Sequence, residues 1–370
     1  MEEISDNPNY DFIKKITRFE GDDGNFSDNV NNSIYREFDI STVYIDPDSL
    51  VRIGNNKLVI MTFNIQSLPS KFNEFSDLLN IMHLADHLPD IICLQEVWQI
   101  DDPDLYDLDH FQPIVTRTRC NNRGGGVGIY VNKKLNYRVM EDLSIFHERI
   151  FESISIEVTT SEGKNIIISS IYRPGTPIPG LPFSEQFSLF SNYLANLMAN
   201  LTEKSDHVYL CGDFNLDILQ FNTNKYISDY IDLTFSCGFL QYVTKPTRIQ
   251  NNCASIIDHI LSNDVNDDCV TNILCTSISD HFPLLHYINA NNQNLNKNTS
   301  HITRNFSNHN INRFKENLAS LSWEHVTTLT NAQTAFDSFS DTFNELFNLH
   351  FPAVSKKLNR NYHKIEPWMT

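Results

Sequence analysis

An α/β fold, with two packed sheets flanked by helices, is what this 370-residue chain predicts. From Lys57 onward, short apolar runs separated by Gly, Pro and Asn recur about ten times, the pattern of strands joined by short loops. Few stretches carry helical apolar spacing. Hydrophobic residues make up 41% of the sequence, and Ile, Leu, Val and Phe are plentiful enough to fill a core between layers.

The elements follow in order. Residues 1–56, rich in Asn, Asp and Ser without sustained period, are expected to form a polar, poorly ordered leader that firms up near 44–50. The first strand is predicted over 58–64. A helix follows, opened by Pro69-Ser70 and striped by Phe72, Phe75, Leu78, Leu79 and Met82. Strands are predicted over 90–96, 111–117 and 126–131, the last after Gly124-Gly125-Gly126. Residues 137–143, 154–158 and 165–172 continue the sheets. A long amphipathic helix is expected over 183–200 and a buried strand over 207–212. A helix near 225–235 and strands around 255–261, 270–275 and 283–288 complete a main domain spanning 57–290. Beyond it, 291–310 reads as an Asn-rich linker, and 311–321 and 332–351 as two helices of a C-terminal extension outside the sandwich.

Composition narrows the function. No apolar run is long enough to span a membrane, and the start Met1-Glu2-Glu3-Ile4 lacks the basic and apolar parts of a secretory signal. The seven cysteines are odd in number and contain no Cys-x-x-Cys pair, which argues against a disulfide framework or a zinc site and for a reducing compartment. The net charge of −18 counts against a nucleic-acid partner, because an acidic protein gains little from counterion release. A divalent ion and local basic clusters would have to offset the repulsion.

Five motifs stand at predicted strand ends: Asn64; Glu96; Tyr172-Arg173-Pro174; Gly212-Asp213-Phe214-Asn215; and Asp258 with Ser279-Asp280-His281. Asp213 and Asn215, two apart, share a strand face. An ionised Asp213 can take a proton from water while the Asn215 amide orients that water, although Gly-Asp and Asn serve equally well as turn residues. Glu96 offers a hard oxygen suited to Mg²⁺, or a strand-end ion pair. Asp280 can share the metal and His281 can contact a phosphate. Asp258 lies in an apolar stretch where an unpaired charge is costly, so it needs a partner such as a site histidine. The neighbouring His259, on the opposite face, reads as packing or surface. Tyr172 and Arg173 are suited to phosphate contact, or else form a core tyrosine beside a surface arginine. Arg117, Arg119 and Arg123 form the one dense basic cluster of the main domain and can lie along a phosphate backbone.

Taken in order, these motifs resemble the endonuclease/exonuclease/phosphatase family in its apurinic-type endonuclease branch. The phrases Asn64-Ile65-Gln66-Ser67-Leu68, Arg123-Gly124-Gly125-Gly126-Val127, Tyr172-Arg173-Pro174 and Ile257-Asp258-His259-Ile260-Leu261 are most similar to endonuclease domains of non-LTR retrotransposons of the jockey and chicken-repeat kind. The resemblance implies a four-layer α/β/β/α sandwich of two mostly antiparallel sheets with its site at one end. It implies Mg²⁺, with Mn²⁺ as a substitute, held by Glu96 with help from Asn64 and Asp280. It gives Asp213 and Asn215 the attacking water, Tyr172 the phosphate, and His281, paired with Asp258, the transition-state charge. Arg173 and Arg123 would bind substrate. Gln66 departs from the pattern: repair-type relatives place an Asp there near the metal, so a neutral amide argues against a second metal and against abasic-site repair.

The resemblance further implies DNA as substrate, a nick that leaves a 3′-hydroxyl for target-primed reverse transcription, and nuclear residence of an active protein. In a full-length element a reverse transcriptase would follow; residues 291–370 resemble the connector that precedes it, and no polymerase Asp-Asp motif follows that segment in this sequence. Two rivals are a phosphatase of the same fold acting on lipid or inositol phosphates, which the acidic charge favours, and a catalytically silent transposon remnant. Against the phosphatase, Asn215 is followed by Leu216-Asp217 where such enzymes place Tyr-Arg.

Overall fold

The computed structural model describes residues 42–50, 57–119, 124–160, 163–250, 253–264, 269–289, 300–303, 308–351 and 354–357. The chain divides into two compact units, residues 1–292 and 293–370.

The first sheet of the larger unit contains β1 (Thr42–Ile45), β2 (Lys57–Asn64), β3 (Ile91–Gln95), β4 (Val115–Arg117), β5 (Val127–Val131), β15 (Val270–Leu274) and β16 (Leu284–Asn289). Its order is β1-β15-β16-β2-β3-β5-β4, with only β1/β15 and β2/β3 parallel. The second sheet contains β6 (Asn136–Val139), β7 (Phe146–His147), β8 (Phe151–Thr159), β9 (Asn165–Tyr172), β10 (Val208–Asp213), β11 (Leu240–Gln241) and β14 (Asp258–Ser262). Its order is β11-β14-β10-β9-β8-β6, with β7 also on β8 and only β9/β10 parallel. A separate hairpin pairs β12 (Arg248–Gln250) with β13 (Cys253–Ser255).

Strand periodicity sorts the core into layers. Alternate residues of β2 and β3 divide between two clusters. Leu58, Ile60, Ile91 and Cys93 join the larger core, which includes the second sheet. Val59, Met61, Phe63, Ile92 and Leu94 face α1 (Leu68–Leu84), which packs through Phe75, Leu78, Leu79 and Met82. Pro69 lies in the first turn of α1, and the Ser67 hydroxyl accepts from Ser70 N at its cap. Helices α2 (Phe183–Thr202) and α3 (Lys225–Ser236) cover the other side, α2 through Phe187, Phe190, Leu194, Leu197 and Leu201. The layers are therefore helix, sheet, sheet, helices, a sandwich of two mostly antiparallel sheets.

Four expectations change. Thr42–Ile45, where the polar leader is expected to begin to firm up but no strand is expected, is an edge strand of the first sheet, anchored by Tyr44 OH donating to Pro246 O at 2.9 Å. Residues 1–41 and 51–56 of the leader lie outside the described residues, as does most of the expected linker. The strand expected over 111–117 shrinks to Val115–Arg117, because Pro113 lacks the N–H that a ladder needs; Phe111 keeps one isolated bridge to Asn132. The strand expected over 137–143 ends at Val139, and Glu141–Leu143 forms a 3₁₀ turn. The strand expected over 255–261 is two strands in different sheets, parted at Ile256-Ile257.

The smaller unit contains α4 (Asn308–Ser320), α5 (Glu324–Thr327) and α6 (Ala332–His350), with β17 (Ser300–Thr303) paired to β18 (Val354–Lys357). Phe314 packs edge-on against Phe343 and Phe347 of α6. No helix among the described residues is long and apolar enough to cross a membrane.

Candidate active site

Topology gathers the motifs. The parallel pairs β2/β3 and β9/β10 bring Asn64, Glu96, Tyr172 and Asp213 to the ends of neighbouring strands, and the register sets Asp213 opposite both Tyr172 and Asp258. β16 runs antiparallel to β2, so the segment entering it carries Asp280 and His281 to the same end. A tight approach makes this possible. A Cβ on Gly212 would lie 1.8 Å from Ile171 O, so only glycine lets β10 pair with β9 just before Asp213.

Asn64 joins the two sheets. Its fully buried amide donates to Asp213 Oδ2 at 2.8 Å and to Glu96 Oε1 at 3.1 Å, and its own oxygen accepts from Gln66 N. Tyr172 OH also donates to Glu96 Oε1, at 3.0 Å, and Trp98 Nε1 lies 3.4 Å from Oε2. Asn215 donates to Asp213 twice, from its backbone at 2.9 Å and its side chain at 3.0 Å. His281 Nδ1 sits 3.0 and 2.9 Å from the two oxygens of Asp258, and Thr247 donates to Asp258 Oδ2 at 2.6 Å. Asp280 Oδ1 lies 4.0 Å from His281 Nε2, beyond hydrogen-bond reach.

Burial sets the proton affinities. Asp213 is fully buried, and desolvation, with the charge of Asp258 added, pushes its carboxyl up to about 7 against the opposing pull of His281, Asn215 and Asn64. For His281 burial acts downward, but Asp258, aided by Asp213 and Asp280, carries the imidazole up to about 9. At neutral pH the ring is a cation with Nδ1 fixed on Asp258. Tyr172 is raised by burial and by Glu96 and Asp213, so it remains a donor. Of the seven non-glycine residues with positive φ among the described residues, Gln66, Ser67, Glu96, Trp98 and Asn215 belong to this rim. Strained backbone of that kind costs about 1–3 kcal/mol per residue and concentrates at functional sites.

Of the two arginines expected to bind substrate, Arg173 has its charge committed to the protein itself. Arg173 is 5% exposed; its guanidinium donates to the carbonyls of Phe214 and Asn215 at 3.3 and 3.2 Å and lies over the rings of Phe183 and Phe190. It braces the backbone that holds Asn215 instead of facing a phosphate. Arg119 pairs with the buried Glu152, which also accepts from Gly126 N, and Arg117 pairs with Glu141. That pair of arginines therefore serves the fold, and Arg123 lies outside the described residues. His259 is core packing, stacked on Phe214 and hydrogen-bonded to Tyr230.

The profile described as the Endonuclease/Exonuclease/phosphatase family matches residues 61–281, well over half the chain and every strand end named above. The chain belongs to this family. Among solved structures, the AP endonuclease LMAP from Leishmania major is 14% identical, with a TM-score of 0.51 over 70% of this chain and 95% of that one. That likeness establishes the shared fold. The endonuclease domain of TRAS1, a telomere-specific non-LTR retrotransposon, is 12% identical with a TM-score of 0.45, covering 63% and 99%. The 3′-5′ exonuclease NExo from Neisseria meningitidis is 16% identical with a TM-score of 0.47, covering 63% and 100%. No curated protein sequence matches. Nucleases and phosphatases share this family's fold, and the family is generally hydrolytic toward phosphate esters.

Members usually use a divalent metal, and two places have fitting donors. Asp213, Asp258 and His281 offer ligand atoms within 4.8 Å of one another. All three are buried, however, and Nδ1 already gives its proton to Asp258, an arrangement made for a shared proton. Mg²⁺ keeps several waters and avoids nitrogen ligands, which favours the half-exposed carboxylate of Glu96 with its neutral donors. Thr247, Arg248, Lys71 and Trp98 also line the site and carry no sequence signal of their own.

Proposed function

We propose that this protein is a Mg²⁺-dependent DNA endonuclease that nicks one strand by hydrolysis and leaves a 3′-hydroxyl, as in target-primed retrotransposition. The observation that carries the reading is the hydrogen-bonded line His281–Asp258 beside Asn215–Asp213–Asn64–Glu96, an acid-base pair next to a candidate metal carboxylate. Asp213, raised to about 7, is matched to accept a proton from the attacking water, and Asn215 and Asn64 aim its oxygens. His281 directs Nε2–H, as a cation, at charge developing on the phosphoryl oxygens. Tyr172 OH and the Asn64 amide hold Glu96, the main carboxylate for the ion. When bound there, a divalent ion, Mg²⁺ or Mn²⁺, would supply Lewis-acid charge to the reacting phosphate. DNA as the ester is supported by the retrotransposon-like phrases around Asn64, Tyr172 and Asp258.

Supercoiled plasmid incubated with Mg²⁺ or EDTA tests the reading. Open circles should form only with Mg²⁺ and should vanish in Asp213→Ala. The net charge of −18 favours a second reading, a phosphatase of lipid or inositol phosphates. Intact plasmid together with phosphate release from inositol phosphates by the same folded protein would establish it. Inertness toward both substrates would leave a catalytically silent remnant.

A further inference from the structure

Asp280 was expected to share the metal, yet both of its oxygens are occupied by the protein. Arg248 donates to Oδ2 from Nε at 2.8 Å and from Nη2 at 2.7 Å, and Gln66 Nε2 donates to Oδ1. Arg248 is fixed in turn: it starts β12, bridges its backbone to His281, and gives Nη2 to Gln250 at 2.9 Å. On the other flank the Lys71 ammonium lies 3.5 Å from Gln66 Oε1 and interacts electrostatically with Asp280, Glu74 and Glu96. A charged fork therefore stands on one side of Asp280, and an amide backed by an ammonium on the other. An incoming divalent ion would have to displace these donors and sit in the field of three cations, Arg248, Lys71 and the imidazolium of His281 4.0 Å from Oδ1. Lys71 reaches both carboxylates electrostatically, so the difference lies in the hydrogen bonds: Asp280 carries the Arg248 fork, whereas the three donors to Glu96, Asn64, Tyr172 and Trp98, are neutral.

We propose that the site takes a single divalent cation, at Glu96, and that Gln66, Asp280 and Arg248 form a closed arm in which Arg248 and Lys71 provide the positive charge that a second ion would otherwise bring. Asp280 is then a positioning residue. It ties the segment carrying His281 to β12 and to the turn before α1, and so fixes where the imidazole points. This deepens the metal-dependent reading above and rests on it.

Counting bound Mn²⁺ tests the arm without any activity measurement. The full chain would be titrated with Mn²⁺ at physiological ionic strength, which screens the acidic surface, with free ion followed by electron paramagnetic resonance. Wild type should bind one ion per chain. Glu96→Gln should weaken it at least tenfold. The Gln66→Asp/Arg248→Ala protein should gain a second ion, and Gln66→Asp alone serves if the double variant does not fold. Two ions of comparable affinity in wild type, or no gain in a folded variant, would overturn the proposal. Binding of no ion by wild type would overturn the metal-dependent reading along with it, so the wild-type count separates the two failures.

Discussion

Asp258 holds the imidazole of His281 through both carboxylate oxygens, at 3.0 and 2.9 Å, and is itself held by Thr247 at 2.6 Å. The ring cannot rotate without breaking a buried ion pair, so its free nitrogen keeps one direction. Loss of the carboxylate should free the ring and lower its basicity together. Asp258→Asn should cut nicking by about 10²–10³-fold, with the alkaline limb of the pH profile moved downward. An unchanged limb would mean that His281 does not set it.

The activity profile of the wild-type protein should be bell-shaped. Asp213 must lose its proton to act, with a midpoint about 7, and His281 must keep its own, with a midpoint about 9. Single-turnover nicking should rise through the first value and fall through the second. Because the two groups interact, the limbs belong to the pair.

Stability should also follow pH. The folded-state pKa of His281 is raised above 6.5, so its contribution is complete below about pH 6.5 and is lost as pH climbs through about 9. The thermal midpoint of wild type should fall across that window by a few degrees. His281→Asn should flatten the curve there, and an equally steep curve in the variant would assign the effect elsewhere.

Gly212→Ala should damage the fold as well as the site. The new methyl would meet Ile171 O at 1.8 Å, and relief requires moving β10 off β9. Urea unfolding should show a loss of at least about 3 kcal/mol. A variant within about 0.5 kcal/mol of wild type would contradict the close approach.

Arg173→Met distinguishes bracing from phosphate binding. With the guanidinium spent on Phe214 and Asn215 carbonyls, the variant should lose roughly 2 kcal/mol of stability. The salt dependence of DNA binding should stay the same. A slope shallower by about 0.9 would instead show a lost phosphate contact.

The strand ends at Asn64, Glu96 and Asp213 were legible because each is an apolar run that gives way to polar residues, and period-two burial leaves little freedom in where such a run lies. Ile91–Gln95 before Glu96 and Val208–Asp213 are examples. The partners of those residues were far less legible. Gln66 meets Asp280 across 214 positions and Asn64 meets Asp213 across 149, and no local spacing encodes such contacts. Arg173 illustrates the same limit. An arginine after a strand looks like a surface cation until α2 lays Phe183 and Phe190 over it. Thr247 had no signal at all, being a hydroxyl in a turn whose value appears only when Asp258 arrives.

The short strand Thr42–Ile45 carries a practical consequence for handling this protein. It occupies the outer hydrogen-bonding row of β15, with Thr42 opposite Thr271 and Ile45 opposite Leu274. A fragment trimmed to begin at the family-like core near residue 57 would uncover that row beside the exposed Val270. Bare ladder groups of this sort recruit strands from other molecules, so the shortened fragment should clump at concentrations where the longer chain stays dispersed.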